Sequence, residues 1–331
     1  MAFSQGVIKQ LSARESRVIG ALLGVHAGDS LGATVEFESH GKIASRYPNG
    51  LRQIIGGGPF GWPAGHATDD TDMTRGVLLA YRDVAPGGDV AVLAGEYFLK
   101  WFGGDWPDRK LGSLPVDMGM ATARGLRSFD MTRDPDRAGA GQGSAGNGSL
   151  MRCIPTGLFQ PDHEKMIHES IRISKITHDD KRCTCACAVY NTIVSELIEG
   201  AAPANAIRSG ISVALRLENG KPGEVHAAVK LGTEVRVADM AQNGPVPEMK
   251  GKASGYVLES LTIAISAILD ERSLEDVLVD VVRIGRDTDT NAAVAGGLLG
   301  ARDGEAAIPE QWKSELQFAK EFTDVALELM T

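Results

Sequence analysis

The stretch RIGRDTDTNAAVAGGLLGA, Arg283 to Ala301, reads as a helix with an acidic start and a body nearly free of side-chain bulk. Small residues recur along it in two lines: Ala292, Gly296 and Gly300 on one, Ala293, Gly297 and Ala301 on the next. A glycine inside a helix costs about 1 kcal/mol relative to alanine. Two such lines are expected where another backbone comes very close, which places this helix at the buried centre of the fold. At its entrance stand Asp287, Thr288, Asp289 and Thr290. Helix capping accounts for one acid there, not two.

Outward from this helix, helical periodicity dominates. Val18, Ala21, Leu22 and Val25 share a face before GDSLG (residues 28–32) breaks the pattern. Val77, Leu78 and Tyr81 follow at helical spacing, and Ile167, Ile171 and Ser174 lead into a longer helix around Ala186 to Ile198. Val257, Leu261, Ala264, Ile265 and Ile268 make a broad apolar face. Leu274, Val277, Leu278, Val281 and Val282 make the next, and the run from Trp312 to Leu329 closes the chain. The segment Ile211–Leu217 suits a strand or a helix equally. No regular alternation of strand and helix appears, which argues against a doubly wound sheet. There is no internal repeat or low-complexity linker, and the turn at Asn219–Glu224 is too short to separate domains. The expected architecture is all-α, one domain over residues 1–331.

The 331 residues carry 43 acids against 34 bases, a net charge of −9 that disfavours broad binding to a nucleic-acid backbone. No run of about 18 apolar residues stands out as a membrane span. The N-terminus lacks the apolar core and cleavage site of a signal peptide. Cys183, Cys185 and Cys187 alternate in CTCAC and cannot converge from a helix on one tetrahedral metal. With Cys153 they read as small buried hydrophobes in a reducing, cytoplasmic compartment.

A second acidic helix start lies in GGGPFGWPAGHATDDTDMTRGVLLAY (residues 56–81), which presents Thr68, Asp69, Asp70, Thr71 and Asp72. Taken alone, capping and metal binding weigh about evenly here. Carboxylates this close repel one another unless a cation or proton lies between them. If the two acidic starts converge, they form an oxygen-rich pocket suited to hard divalent cations such as Mg²⁺ or Mn²⁺, with carboxylates enough for two. A third segment, AGAGQGSAGNGSLMRCIP (residues 138–155), formally contains GxGxxG, but no strand precedes it and no βαβ unit follows. It reads either as a mobile glycine loop or as a backbone close to a ligand, with N–H groups free to meet a diphosphate. Asn147, Ser149 and Arg152 would add polar contacts there. GVHAGDSLGATVEF places Asp29 and Glu36 after a helix, with Glu36 available as a base or outer metal ligand, and SKITHDDKR places Thr177 and His178 ahead of another. Spacing alone gives His178 no special standing.

Together, GDSLGATVEF, GHATDDTDM, GNGSLMR, ITHDD and GRDTDTNAAVAGGLLGA resemble the ADP-ribosylglycohydrolase family, in the family's order and across residues 28–301. The family includes dinitrogen-reductase-activating glycohydrolases and ADP-ribosyl-acceptor hydrolases. The resemblance implies a compact, orthogonally packed all-α fold with a central binuclear Mg²⁺ or Mn²⁺ site. Carried over by position, the metal ligands would be Thr68, Asp69, Asp70, Asp287, Asp289 and Thr290. Glu36 would sit in a mobile acidic loop near them. Asn147, Gly148, Ser149 and Met151 would line the ADP-ribose groove, Arg152 would support that loop, and His178 would contact the diphosphate or distal ribose. Two departures stand out. Some relatives have an acid where this chain has Ser144, and ITHDDKR lacks the proline common shortly after the histidine.

The resemblance implies a hydrolase that cuts the N- or O-glycosidic bond between ADP-ribose and a protein side chain, or a small-molecule ADP-ribosyl adduct, with ADP-ribose as product. Water deprotonated with help from Asp70, Asp289 or Glu36 would attack C1″. Two rivals remain. One is phosphoryl transfer through Asp287-Thr288-Asp289 as a DxD motif, disfavoured because it opens a helix near the C-terminus. The other is a catalytically silent, ADP-ribose-binding or crystallin-like member, disfavoured by the intact acids. A monomer acting without a membrane is expected.

Overall fold

The computed structural model describes residues 10–331 as α-helices joined by loops, with isolated β-bridges and no sheet among the described residues. The first nine residues of the expected 1–331 domain lie outside this description. The segment Ile211–Leu217, ambiguous in sequence, is the end of the helix Pro203–Leu217.

The central pairing is between the helices Ala13–Gly32 and Thr288–Asp303, which run antiparallel with their backbones in contact. Gly20, Gly24, Gly28 and Gly32 recur every fourth residue on the first helix. A methyl carbon at Gly24 would lie 2.2 Å from the Gly296 carbonyl oxygen, and one at Gly28 would lie 2.1 Å from that of Ala292. From the other side, one at Gly300 would lie 1.9 Å from the Gly20 oxygen. These approaches admit no side chain, which explains why helix-weakening glycine is placed here. The second line on Thr288–Asp303 faces elsewhere, and Gly297 makes room for Tyr190, whose hydroxyl donates to the Val294 carbonyl at 2.8 Å.

Two expectations change. GDSLG does not break the first helix, which runs through to Gly32 and continues as a 3₁₀ turn over Ala33–Val35. The sequence pattern fails there because glycine and aspartate, poor helix formers in isolation, are held by contact with a second backbone. The same segment, Ala13–Val35, also reaches the length and apolarity of a membrane span, at a hydropathy of 1.3, but its apolar window is entirely buried inside the protein. Valine, isoleucine and leucine carry its apolarity, but glycines, His26, Asp29, Ser30 and Thr34 interrupt them, so no continuous apolar run marks it. All four cysteines are buried and free, as expected of small hydrophobes.

The glycine contact ends at the functional region. A carbon at Gly32 would lie 2.3 Å from the Thr288 carbonyl oxygen, and Thr288 Oγ1 donates to the Gly32 carbonyl at 2.7 Å. Just beyond, Ser39 bridges Gly285, while the Phe37 and Arg286 N–H groups bond to the Arg286 and Glu38 carbonyls, each at 2.7 Å. Phe37 and Arg286 both adopt left-handed backbone, with φ of 63° and 72°. The loop carrying Glu36 and the loop carrying Asp287 are thereby fixed to each other.

Candidate metal centre and substrate cavity

The helix Asp69–Asp83 starts at its N-cap Thr68, whose hydroxyl accepts from the Asp70 N–H at 3.3 Å. Thr68 therefore does the capping, and Asp69 and Asp70 are left over. At the other entrance, Asp287 occupies the N-cap of Thr288–Asp303 but makes no capping hydrogen bond. Capping explains neither set of acids.

The two entrances converge. Thr290 Oγ1 lies 3.3 Å and Thr68 Oγ1 3.4 Å from Asp70 Oδ2, so hydroxyls from both helix starts meet one carboxylate. Above it opens a cavity of about 630 Å³ lined by Glu36, Asp69, Asp117, Asp287, Asp289 and Thr290 on one side and by Gly146, Asn147, Gly148, Met151 and His178 on the other. Carboxylate oxygens of Glu36, Asp117 and Asp289 lie within 4.8 Å of one another. Three oxygens here, Glu36 Oε2, Asp70 Oδ1 and Asp289 Oδ1, are buried without a hydrogen-bond partner among the described residues. A buried carboxylate oxygen without a partner is costly, and a hard cation is the ligand that satisfies several of them together.

Electrostatics agree with the geometry. Burial, then repulsion from neighbouring acids, holds the Asp69, Asp70 and Asp289 carboxyls well above the usual range. Burial, with Asp117, Asp287 and Asp29 nearby, pushes Glu36 up to about 9, and burial beside Asp29 and Asp287 pushes Asp117 up to about 6. Acids crowded this way keep protons in the absence of cations.

Sequence reasoning passed over Asp117, which sits in an irregular loop with no periodic or turn signature. It also left Asp29 without a role. Asp29 Oδ2 accepts the Thr68 and Thr71 N–H groups at 3.1 and 3.2 Å, its Oδ1 accepts the Thr68 hydroxyl at 2.8 Å, and Thr71 Oγ1 donates to it as well. It locks the acidic start of Asp69–Asp83 onto the first helix. The signal was present: Asp29 is the lone acid in the stretch Val18–Val35.

The glycine-loop residues divide. Asn147 and Gly148 line the cavity, and Asn147 Nδ2 donates to Asp287 Oδ2 at 2.6 Å and to Ser260 Oγ at 2.9 Å. The Gly141 and Gly143 N–H groups, which one of the two readings of this loop left free for a diphosphate, donate to Asp179 and Asp180 at 2.6 and 2.7 Å. Ser149 does not line the cavity; its hydroxyl faces the core, accepting from Ser174 Oγ at 2.8 Å. Arg152 is wholly buried beneath the loop, donating to Gly148 O and, at 2.7 Å, to Thr177 Oγ1, with its guanidinium over the Phe98 ring. Thr177 Oγ1, which accepts from Arg152, also lies 2.7 Å from His178 Nδ1. Burial, with Arg152 adding repulsion, lowers His178 to about 3, leaving a neutral ring whose Nε2 lies beside Gly146 and Gly148.

Comparison with known proteins follows the same outline. The ADP-ribosylglycohydrolase family model matches residues 10–331. The chain is 31% identical over 309 residues to the ADP-ribosyl-[dinitrogen reductase] glycohydrolase of Rhodospirillum rubrum, covering 92% of each. It is 27% identical to the ADP-ribosylarginine hydrolase Tri1 of Pseudomonas putida (strain GB-1), over 95% of this chain and 77% of that one. A solved structure described as an ADP-ribosylglycohydrolase-related protein complex matches with a TM-score of 0.76 at 29% identity, over 96% of this chain and 98% of its own. This chain belongs to the ADP-ribosylglycohydrolase family.

Proposed function

We propose that the protein is a metal-dependent hydrolase that removes ADP-ribose from arginine- or serine-linked side chains by cleaving the glycosidic bond at C1″ of the distal ribose. The observation that carries this reading is the set of partnerless buried carboxylate oxygens on Glu36 and Asp289, which line a cavity large enough for a nucleotide-sized ligand, and on Asp70, which meets the lining Thr290. Thr68, Asp69, Asp70, Asp287, Asp289 and Thr290 would hold two divalent cations, Mg²⁺ or Mn²⁺, which would supply attraction for vicinal ribose hydroxyls and lower the pKa of water. Glu36 takes the proton from the attacking water through its free Oε2, as a C1″–oxygen bond forms and the bond to the acceptor breaks. Glu36 then returns that proton, so that the departing side chain leaves protonated and the base is regenerated. Surrounding carboxylates favour the positive charge that develops at the anomeric carbon. Asn147 holds Asp287 in place, while the neutral His178 ring and the close-lying Gly146–Gly148 backbone meet the ADP-ribosyl part. The family match over residues 10–331 supports reading the chain as one functional domain.

The direct test is release of ADP-ribose from arginine- and serine-modified peptides in parallel, with Mg²⁺ or Mn²⁺ and after chelation. Release from neither peptide under any metal condition overturns the reading.

Linkage gives an independent prediction. A carboxyl raised in the folded state favours folding when protonated, and that contribution disappears as pH climbs from the unfolded value to the folded one. For Glu36 the window runs from 4.5 to about 9. The metal-free protein should therefore melt at progressively lower temperature between about pH 5 and 9, and Mn²⁺ should reverse the trend. Thermal melts across this range with and without Mn²⁺ check it; a flat metal-free profile contradicts it.

A further inference from the structure

One wall of the cavity is not made by either acidic helix start. Ser254 and Gly255 form it, at the end of a loop, residues 249–255, that wraps over the start of the helix Val257–Ile268. This strap is strained: Lys252 and Ala253 adopt left-handed backbone at φ of 55° and 62°, although neither is glycine. Something must hold it there. Glu259, one turn into the helix and 5% exposed, accepts the Gly251 N–H on Oε1 at 2.6 Å and the Ala253 N–H on Oε2 at 2.8 Å. Both oxygens of a buried carboxylate are thus committed to one segment of main chain.

What the strap holds is the site. The Ala253 carbonyl accepts the Asp287 N–H at 3.1 Å and Asn291 Nδ2 at 3.0 Å, and the Gly255 carbonyl accepts the Asn147 N–H at 3.1 Å. Ser260, beside Glu259, closes the circuit by accepting from Asn147 and donating to Asn291 Oδ1 at 2.7 Å. The glycine loop and the Asp287 loop, far apart in sequence, are joined through these residues. We propose that Glu259 is a positioning residue that, by clamping the strap, sets the placement of Asp287 and Asn147 and with it the affinity of the site for divalent cations and ADP-ribose. This rests on the functional reading above.

The test uses Mn²⁺ and ADP-ribose as probes in calorimetric titrations of the full chain, with no turnover needed. Glu259→Gln keeps the shape but puts an NH₂ where an N–H must be accepted. It should retain its helical circular dichroism while Mn²⁺ affinity falls about tenfold or more, with a parallel loss for ADP-ribose in the presence of Mn²⁺. Gly251→Ala tests the same clamp from the other side, since the added carbon would lie 2.8 Å from Glu259 Oε2. It decides the matter should Glu259→Gln not fold. Val213→Ala, a core truncation on Pro203–Leu217, controls for general destabilisation and should leave both affinities unchanged. Wild-type affinities in the clamp variants, or an equal loss in Val213→Ala, overturn the proposal. Failure of the wild-type protein itself to bind Mn²⁺ overturns the functional reading, and this one falls with it.

Discussion

Asp289→Asn should fold with full helix content and release ADP-ribose about 10³-fold more slowly than the wild type. The side chain sits at the convergence of both acidic helix starts, 2% exposed, with one oxygen lacking a partner among the described residues. Asparagine preserves its volume and removes its charge. Because burial and the Glu36, Asp287, Asp70 and Asp117 carboxyls hold Asp289 well above its ordinary range, the substitution also relieves repulsion. The metal-free variant should melt higher than the metal-free wild type at pH 8, yet gain less on adding Mn²⁺. Stability and activity thus move in opposite directions, which damage to the fold cannot produce. Turnover at the wild-type rate would sink the mechanism.

Gly24→Val should fail to yield a folded protein. The nearest atoms to the added carbon are backbone, Gly296 O at 2.2 Å and Gly296 C at 2.8 Å, so no rotamer change relieves the clash. Separating the two central helices opens the core along its length, at more than about 4 kcal/mol. That is a large share of the stability of an ordinary domain, about 5–15 kcal/mol. Gly41→Ala is the contrast: its added carbon meets nothing within 4 Å, and in a helix it should raise the melting temperature slightly. Far-UV circular dichroism and melts of both variants check the pair. A Gly24→Val protein that melts near the wild type overturns the account of the core.

The sequence read well where side chains repeat and poorly where backbone decides. The apolar faces of Val257–Ile268 and Leu274–Ile284 announced themselves by spacing, as did the acidic starts at Asp69 and Asp287. The small-residue lines after Asp289 pointed to a close-packed partner without naming it. Yet its partner was equally legible in Gly20, Gly24, Gly28 and Gly32, spaced by four; GDSLG was instead taken for a break, because glycine weakens a helix in isolation. Asp117 was invisible because its loop has no period, and the 249–255 strap because its role is carried by carbonyls and N–H groups common to every residue. The GxGxxG match carries no nucleotide-binding fold, as the missing strand foretells: the Gly141 and Gly143 N–H groups are claimed by Asp179 and Asp180, and of its glycines Gly146 lines the cavity.

The central helix pair has a property akin to that of a ruler with evenly cut notches. Glycines repeating every fourth residue would let the helices mesh again after sliding one notch, about 6 Å. Packing alone would tolerate the slip; the chemistry would not, since it would carry Glu36 out of reach of Asp289. The register is therefore set by end stops. Thr288 hooks the Gly32 carbonyl at one end, and Ser16 Oγ receives the Glu305 N–H at 3.2 Å at the other. A protein in which Thr288→Val and Ser16→Ala are combined keeps every notch and loses both side-chain stops, leaving the spacing of the Glu36 and Asp287 loops to the backbone pairing of Phe37 with Arg286.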